Sequence, residues 1–375
     1  MNLYSSLKRI LIKHVLGYRK RFWEFNLKMN ARKYVKEIIR QNKSPELSTT
    51  EVNQAKAFYK SKGYKLDNTY WHKYYKGLTN AFFVNYIPED IFNAIIAPSF
   101  NQMRQWPALL DKNLSYNLFQ EFVQPTAVVQ NINGFYFVDG KIVNESAALE
   151  KCNTINSPLI IKPTIDSGDG VMVHKFNVTN YKTTYENLTT LDLFKKYKKD
   201  FIVQEAVEQS DVLKSLNPSS LNTVRVMTYL KTDGVHVLSS VLRIGQPNSS
   251  TDNFCGGGII CGIKPNGSLK SKAYTRDGAI LNKSHTKVTF EGITIPNYNA
   301  LIDMVKTMHP IIPYFKIVSW DIGMNKENQP VFIEFNTYYQ DVDLHQITNG
   351  PLFGEFTDEI LAISLNPTET AYNGL

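Results

Sequence analysis

The sequence is poor in the features that mark secreted, membrane-spanning and nucleic-acid-binding chains. Three cysteines in 375 residues, Cys152, Cys255 and Cys261, are too few for a disulfide framework, and none forms a Cys-x-x-Cys pair. A reducing, cytoplasmic compartment is therefore expected. No apolar run reaches the ~20 residues needed to span a bilayer. The first residues lack an uninterrupted apolar stretch before a small-residue cleavage site, so a secretory leader is not expected. Internal repeats, low-complexity linkers and recognisable nucleic-acid-binding motifs are also missing, which argues against a nucleic-acid partner.

What is present is a globular composition, 43% hydrophobic and 20% charged, on a chain long enough for two or three subdomains around a large core. The net charge of +8 is unevenly spread: residues 1 to 43 carry 12 Lys or Arg against 2 Glu. The rest of the chain is close to neutral. Within residues 1 to 65, a basic helical segment, Leu3, Leu7, Leu11, Val15, Tyr18, Phe22 and Phe25 recur every three or four residues as one apolar stripe. Lys8, Arg9, Lys13, Arg19 and Lys20 fall largely off it. Such a helix either packs on the body with a solvated basic face or lies on an anionic membrane surface.

Residues 66 to 110 are aromatic-rich, and Trp71, Tyr74 and Tyr75 at helical spacing are expected in the core. From about residue 158 the pattern turns strand-rich. PLIIKP and GVMVHKF flank a glycine-containing loop, FIVQEAV reads as a strand, and TVRVMTYLKTDGVHVLSSVLRIG reads as a hairpin turning at Thr232-Asp233-Gly234. An α+β body with a mainly antiparallel sheet follows.

The stretch KIVSWDIGMNKENQPVFIEFN predicts a further hairpin around residues 326 to 329. Pairing Asn325 with Pro330 sets Asp321 opposite Glu334, and Asn336 shares the face of Glu334, while Ile333 and Phe335 point away. Neither strand carries a basic residue beside the two carboxylates. Desolvated together they repel, and oxygen-only donors of this kind suit Mg²⁺, or Mn²⁺. Such a metal site gives meaning to the loop of IIKPTIDSGDGV. It fits neither usual phosphate motif, because Lys162 precedes the glycines and G-x-G-x-x-G is absent. Backbone N–H groups of Ser167, Gly168, Asp169 and Gly170 can still face phosphate oxygens, with Lys162 reaching the same anion from its strand.

Taken in order, WHKYYKGL, DKN at 111 to 113, IIKPTIDSGDGV, FIVQEAVEQ, LNTVRVMTY, DNFCGGGI, WDIGM, FIEFN and NGPLFGEFTDEIL resemble an ATP-grasp protein. The resemblance is greatest to the sugar-transfer-associated ATP-grasp family and runs over about residues 70 to 360. It implies an ATP-grasp fold with a small lobe at 111 to 203 and a large lobe at 204 to 375. It implies that Lys112 and Lys162 contact ATP phosphates, that Ser167 to Gly170 cover the triphosphate, and that the strand end Gln204-Glu205-Ala206-Val207 recognises adenine. Either Glu208 or Asp211 binds ribose. Asp321, Glu334 and Asn336 match magnesium ligands, and Arg225 and Arg243 are expected over the cleft near the γ-phosphate or a substrate carboxylate. The phosphate loop has fewer glycines than many relatives, and the first 65 residues match no core motif.

The implied activity is an ATP-dependent ligase joining a carboxylate to an amine through an acylphosphate. A sugar carboxylate and an amino acid, in surface polysaccharide biosynthesis at the inner membrane face, are the expected setting. The alternatives are a kinase acting on a sugar hydroxyl and a nucleotide-binding partner without turnover.

Overall fold

A computed structural model describes residues 3–165, 167–168 and 170–365, with side chains of the first helix described from Arg21 onward. Two antiparallel sheets carry the fold. The smaller runs in the order β3-β2-β1-β8-β4-β5, from β1 (Ala127–Ile132), β2 (Phe135–Val138), β3 (Lys141–Val143), β4 (Leu159–Pro163), β5 (His174–Phe176) and β8 (Phe201–Glu205). The larger runs β13-β12-β11-β10-β9-β14-β15, from β9 (Thr223–Lys231), β10 (Gly234–Ile244), β11 (Ile259–Ile263), β12 (Leu269–Thr275), β13 (Ile280–Leu281), β14 (Ile317–Met324) and β15 (Pro330–Asn336). A short ribbon of β6 (Val178–Thr179) and β7 (Lys182–Thr183) flanks the smaller sheet. The lobe boundary expected at 203 falls inside β8, whose whole length belongs to the smaller sheet.

Helices Glu145–Asn153 and Thr190–Tyr197 cover the smaller sheet through Ala148, Cys152, Leu193 and Phe194. One face of the larger sheet packs Trp320, Phe332 and Phe335 against Phe119 and the helix Tyr298–Met308. Its other face meets helices from both ends of the chain. These are α1 (Leu3–Gln41), α2 (Thr49–Ser61), α3 (Tyr70–Thr79) and, from the far end, Val342–Asn349 and Thr357–Leu365. Helix α2 begins with a capping box: the Glu51 amide donates to Ser48 Oγ at 3.2 Å, and the Ser48 amide donates to the Glu51 carboxylate at 2.8 Å. Trp71, Tyr74 and Tyr75 are buried, as their spacing predicts.

Two residues of the α1 stripe have described side chains. Phe22 and Phe25 are exposed, and Leu27, Val35 and Ile38 are the buried positions instead. The side chains of Leu3, Leu7, Leu11, Val15 and Tyr18, and of Lys8, Arg9, Lys13, Arg19 and Lys20, lie outside the described residues.

In the β14–β15 hairpin Asp321 does face Glu334, yet by a different route from the one the sequence predicts. Met324, not Asn325, pairs with Pro330, so the turn is one residue longer. A bulge between Asp321 and Ile322 then restores the register, leaving Ile333 as the extra residue. Phe332 and Phe335 therefore enter the core, and Ile333, expected on the far face, lines the cleft beside Glu334.

Trp320 is fully buried against Phe119, Phe332 and Phe335, and its indole N–H donates to Thr228 Oγ1 at 2.8 Å. Trp320→Ala is expected to cost roughly 3–5 kcal/mol. A urea midpoint unchanged from wild type would contradict this packing.

Candidate active site

A cleft of about 280 Å³ opens between the two sheets. The smaller sheet contributes Ile160, Lys162 and Lys175, with Gln204 to Val207 at the end of β8; the larger contributes Arg243, Asp321, Ile333 and Glu334. The loop between β4 and β5 crosses the opening. It is longer than the sequence pattern suggests, because Val171 to Val173 belong to the loop and the strand resumes only at His174. Its Gly170 sits at φ +68°, and a Cβ there would lie 3.0 Å from Thr251 on the facing lobe. Ser250 Oγ donates to the Val173 carbonyl at 3.4 Å, so the loop touches the larger lobe twice. Asp169 lies outside the described residues.

Lys112 opens the helix Lys112–Leu118, and its ammonium donates to Ser167 Oγ at 3.0 Å and to the Ser167 carbonyl at 3.2 Å. The same nitrogen stands 3.6 Å from Glu334. Lys162 lies deeper, only 9% exposed, with no ion pair within 4.0 Å among the described residues. Burial drives its pKa down to about 8; Glu334 opposes that shift and Lys112 adds to it. A buried, unpaired ammonium facing a cleft is a ready counter-charge for an anion.

The carboxylates are less bare than the hairpin alone implies. β14 is an interior strand, and its other neighbour, β9, sets Arg225 directly opposite Asp321. Arg225 grips both Asp321 oxygens at 2.8 Å, and Arg243 from β10 adds a third contact at 3.0 Å. Burial raises the Asp321 carboxyl, but the two guanidiniums outweigh it and hold the group below the usual carboxylate range. Counting basic residues on two strands missed those supplied by the third and fourth. Arg225 is buried and does not line the cleft, contrary to expectation, whereas Arg243 does.

Two acids that carried no separate signal complete this network: Asp341 accepts from Arg225 at 2.6 Å, and Asp252 stands 3.2 Å from Arg243. Asp252 also accepts from the Thr223 amide and hydroxyl. Its place in DNFCGGGI was the only sequence-level pointer.

For a hard cation the donor chemistry fits, since Asp321, Glu334 and Asn336 each offer a side-chain oxygen from one hairpin. Glu334 is open to the cleft, and the buried Asn336 amide nitrogen has no partner among the described residues. Asp321 enters such a set only by sharing oxygens now held by the arginines. At the strand end the Glu205 and Ala206 amides already donate, to Thr126 and Pro158, at 2.9 and 2.8 Å. The Val207 amide has no hydrogen-bond acceptor among the described residues. Glu208 lines the cleft and pairs with Lys326 at 3.1 Å. Asp211 sits in the first turn of the helix Asp211–Leu216, exposed and off the cleft wall.

The depressed Lys162 pKa has a sign that can be checked. Its folded value, about 8, lies below the ordinary 10.5, so between those pH values the unfolded chain holds the proton more tightly. The cost of burying the charge is present below pH 8 and is relieved as pH rises toward 10.5. Subtracting the unfolding free energy of Lys162→Met from that of wild type should leave a difference that rises across this window. A flat difference would show that Lys162 is not strained by burial.

Residues 92–360 match the family described as sugar-transfer associated ATP-grasp. No curated protein matches the chain. Solved structures that it resembles include an L-amino acid ligase from Bacillus licheniformis, at 14% identity and TM-score 0.40, covering 70% of this chain and 49% of that one. The ATP-grasp ligase PsnB, complexed with minimal precursor, Mg and ADP, matches at 11% identity and TM-score 0.39, over 69% of this chain and 60% of that one. A D-alanine–D-alanine ligase from Bacillus anthracis matches at 12% identity and TM-score 0.38, over 71% and 69%. The chain thus spans about half the length of the first and three-fifths of the second. With the family matched over most of its length, the chain belongs to the sugar-transfer associated ATP-grasp family.

Proposed function

We propose that the protein is an ATP-dependent ligase that joins a carboxylate to an amine. The observation that carries this reading is the gathering of Lys112, Lys162 and Arg243 around Glu334, under a glycine-containing loop, in a chain of this family. Three cations in one cleft between two lobes suit a triphosphate. Adenine then meets the end of β8 at Val207, because the two preceding amides are occupied. Glu208 is better placed than Asp211 to meet the ribose.

In the proposed reaction a carboxylate oxygen attacks the γ-phosphorus and the bond to ADP breaks, forming an acylphosphate. The amine nitrogen, after losing its proton, attacks the acyl carbon, and the C–O bond breaks to release phosphate. Lys112 and Lys162 hold the phosphate oxygens, and Arg243 steadies the charge that builds between two anions. Arg225, which reaches the site only through Asp321 and Asp341, positions rather than touches. The loop over 164–173 excludes water from the acylphosphate. Magnesium, held by Asp321, Glu334 and Asn336, would neutralise phosphate charge when bound.

The same reading sets the reaction in surface polysaccharide biosynthesis, with a sugar carboxylate and an amino acid as substrates. It takes place at the cytoplasmic face of a membrane reached by the basic first 43 residues. The family's association with sugar transfer and the uneven charge support it.

A screen of sugar acids against amino acids for ADP release, followed by product mass, tests the reaction class. An amide plus free phosphate is expected; a stable phosphorylated sugar would make the protein a kinase instead. Glu334→Gln should lower ATP consumption by about 100-fold or more, as for loss of one charge-stabilising group in a preorganised site; turnover at the wild-type rate would remove Glu334 from the metal set. Gly170→Ala places a side chain at positive φ, costing roughly 1–2 kcal/mol, and presses on Thr251. A raised KM for ATP is the expected result, and an unaltered KM would exclude a closing role for the loop.

A further inference from the structure

Among its described side chains, helix α1 carries apolar groups on two opposite sides. From Leu27 onward the buried line is Leu27, Val35 and Ile38, which dock on the body. On the opposite side Phe22, Phe25 and Met29 are 62%, 59% and 47% exposed. The helical step of three or four residues continues that outward line through Lys33 and Arg40, both exposed, while the Lys36 ammonium between them turns back over the Tyr70 ring, 4.9 Å from its centroid. One fixed side of the helix thus passes from large apolar groups to cations. In the sequence, Leu7, Leu11, Val15 and Tyr18 precede Phe22 at the same spacing.

We infer that this outward side docks on an anionic lipid bilayer, with Phe22, Phe25 and Met29 among the acyl chains and Lys33 and Arg40 on the headgroups. The inference rests on the membrane setting of the proposed function and names the surface and its orientation. Charge selects the occupant. Residues 1 to 43 carry 12 Lys or Arg against 2 Glu, so a second copy apposed through the same side would bring like charge against like. Phosphate headgroups supply the opposite sign. No helix among the described residues is long and apolar enough to cross a membrane, so contact through α1 lies in the plane of the surface.

The docking side is also rigidly tied to the site. Trp23, on the inner side of α1, stacks on Tyr338 with ring centroids 5.6 Å apart. Tyr338 stands two residues beyond Asn336 and three before Asp341, the partner of Arg225. Binding to a bilayer through α1 therefore holds the cleft in one orientation to the surface, suited to a substrate whose reactive group is carried on a lipid.

Sedimentation of the full chain with phosphatidylcholine vesicles, with and without phosphatidylglycerol, tests this without any turnover, so its outcome is separate from that of the ligase reading. Wild type should bind the phosphatidylglycerol vesicles and not the neutral ones. Phe22→Glu with Phe25→Glu should weaken binding about tenfold or more, while leaving the thermal midpoint unchanged, because both side chains are exposed. Failure to bind anionic vesicles, or equal binding by the double variant, would overturn the inference. A dimer in solution that the double variant dissolves, without vesicle binding, would assign the surface to a second copy instead.

Discussion

Asp321 is the point on which the larger lobe's chemistry depends. A carboxylate buried on the penultimate strand of a seven-stranded sheet is tolerated because arginines on the two next strands meet both of its oxygens. Asp252 and Asp341 close the ends, so charges alternate along the chain Asp252–Arg243–Asp321–Arg225–Asp341. Three strands are locked in register by this network, and it aims Arg243 at the cleft. Removing one member strands another as an unpaired buried charge, which is why the group is better regarded as one unit than as separate ion pairs.

The smaller lobe supplies the opposite arrangement. Lys162 is buried with no ion-pair partner among the described residues, and its surroundings press it toward neutrality. The larger lobe therefore presents satisfied charge and the smaller lobe unsatisfied charge across the same gap. Such an asymmetry favours an anionic occupant over an empty cleft, because only the occupant relieves the lysine.

Much of this was legible in the sequence where local pattern governs. The alternation and turn residues of TVRVMTYLKTDGVHV mark a hairpin, and β9 and β10 form it. The opposition of Asp321 and Glu334 was also legible, although through two compensating offsets: a longer turn and a bulge at Ile333. Pattern cannot show a bulge, because one extra residue leaves the apolar content unchanged. The arginine network was hidden for another reason. Arg225 and Asp321 are 96 residues apart, and their contact follows from strand order, which composition does not encode. What the stripe of α1 meets stayed open, because a periodic stripe shows that one side is apolar, not what that side faces.

Lys112 gives one consequence more. Its single ammonium holds the Ser167 carbonyl and hydroxyl and lies near Glu334, so three protein oxygens already share it. An anion reaching that nitrogen would share it with the loop's own oxygens. Tethering the loop thus draws on two of the three ammonium protons, and the third is left beside Glu334 at the cleft.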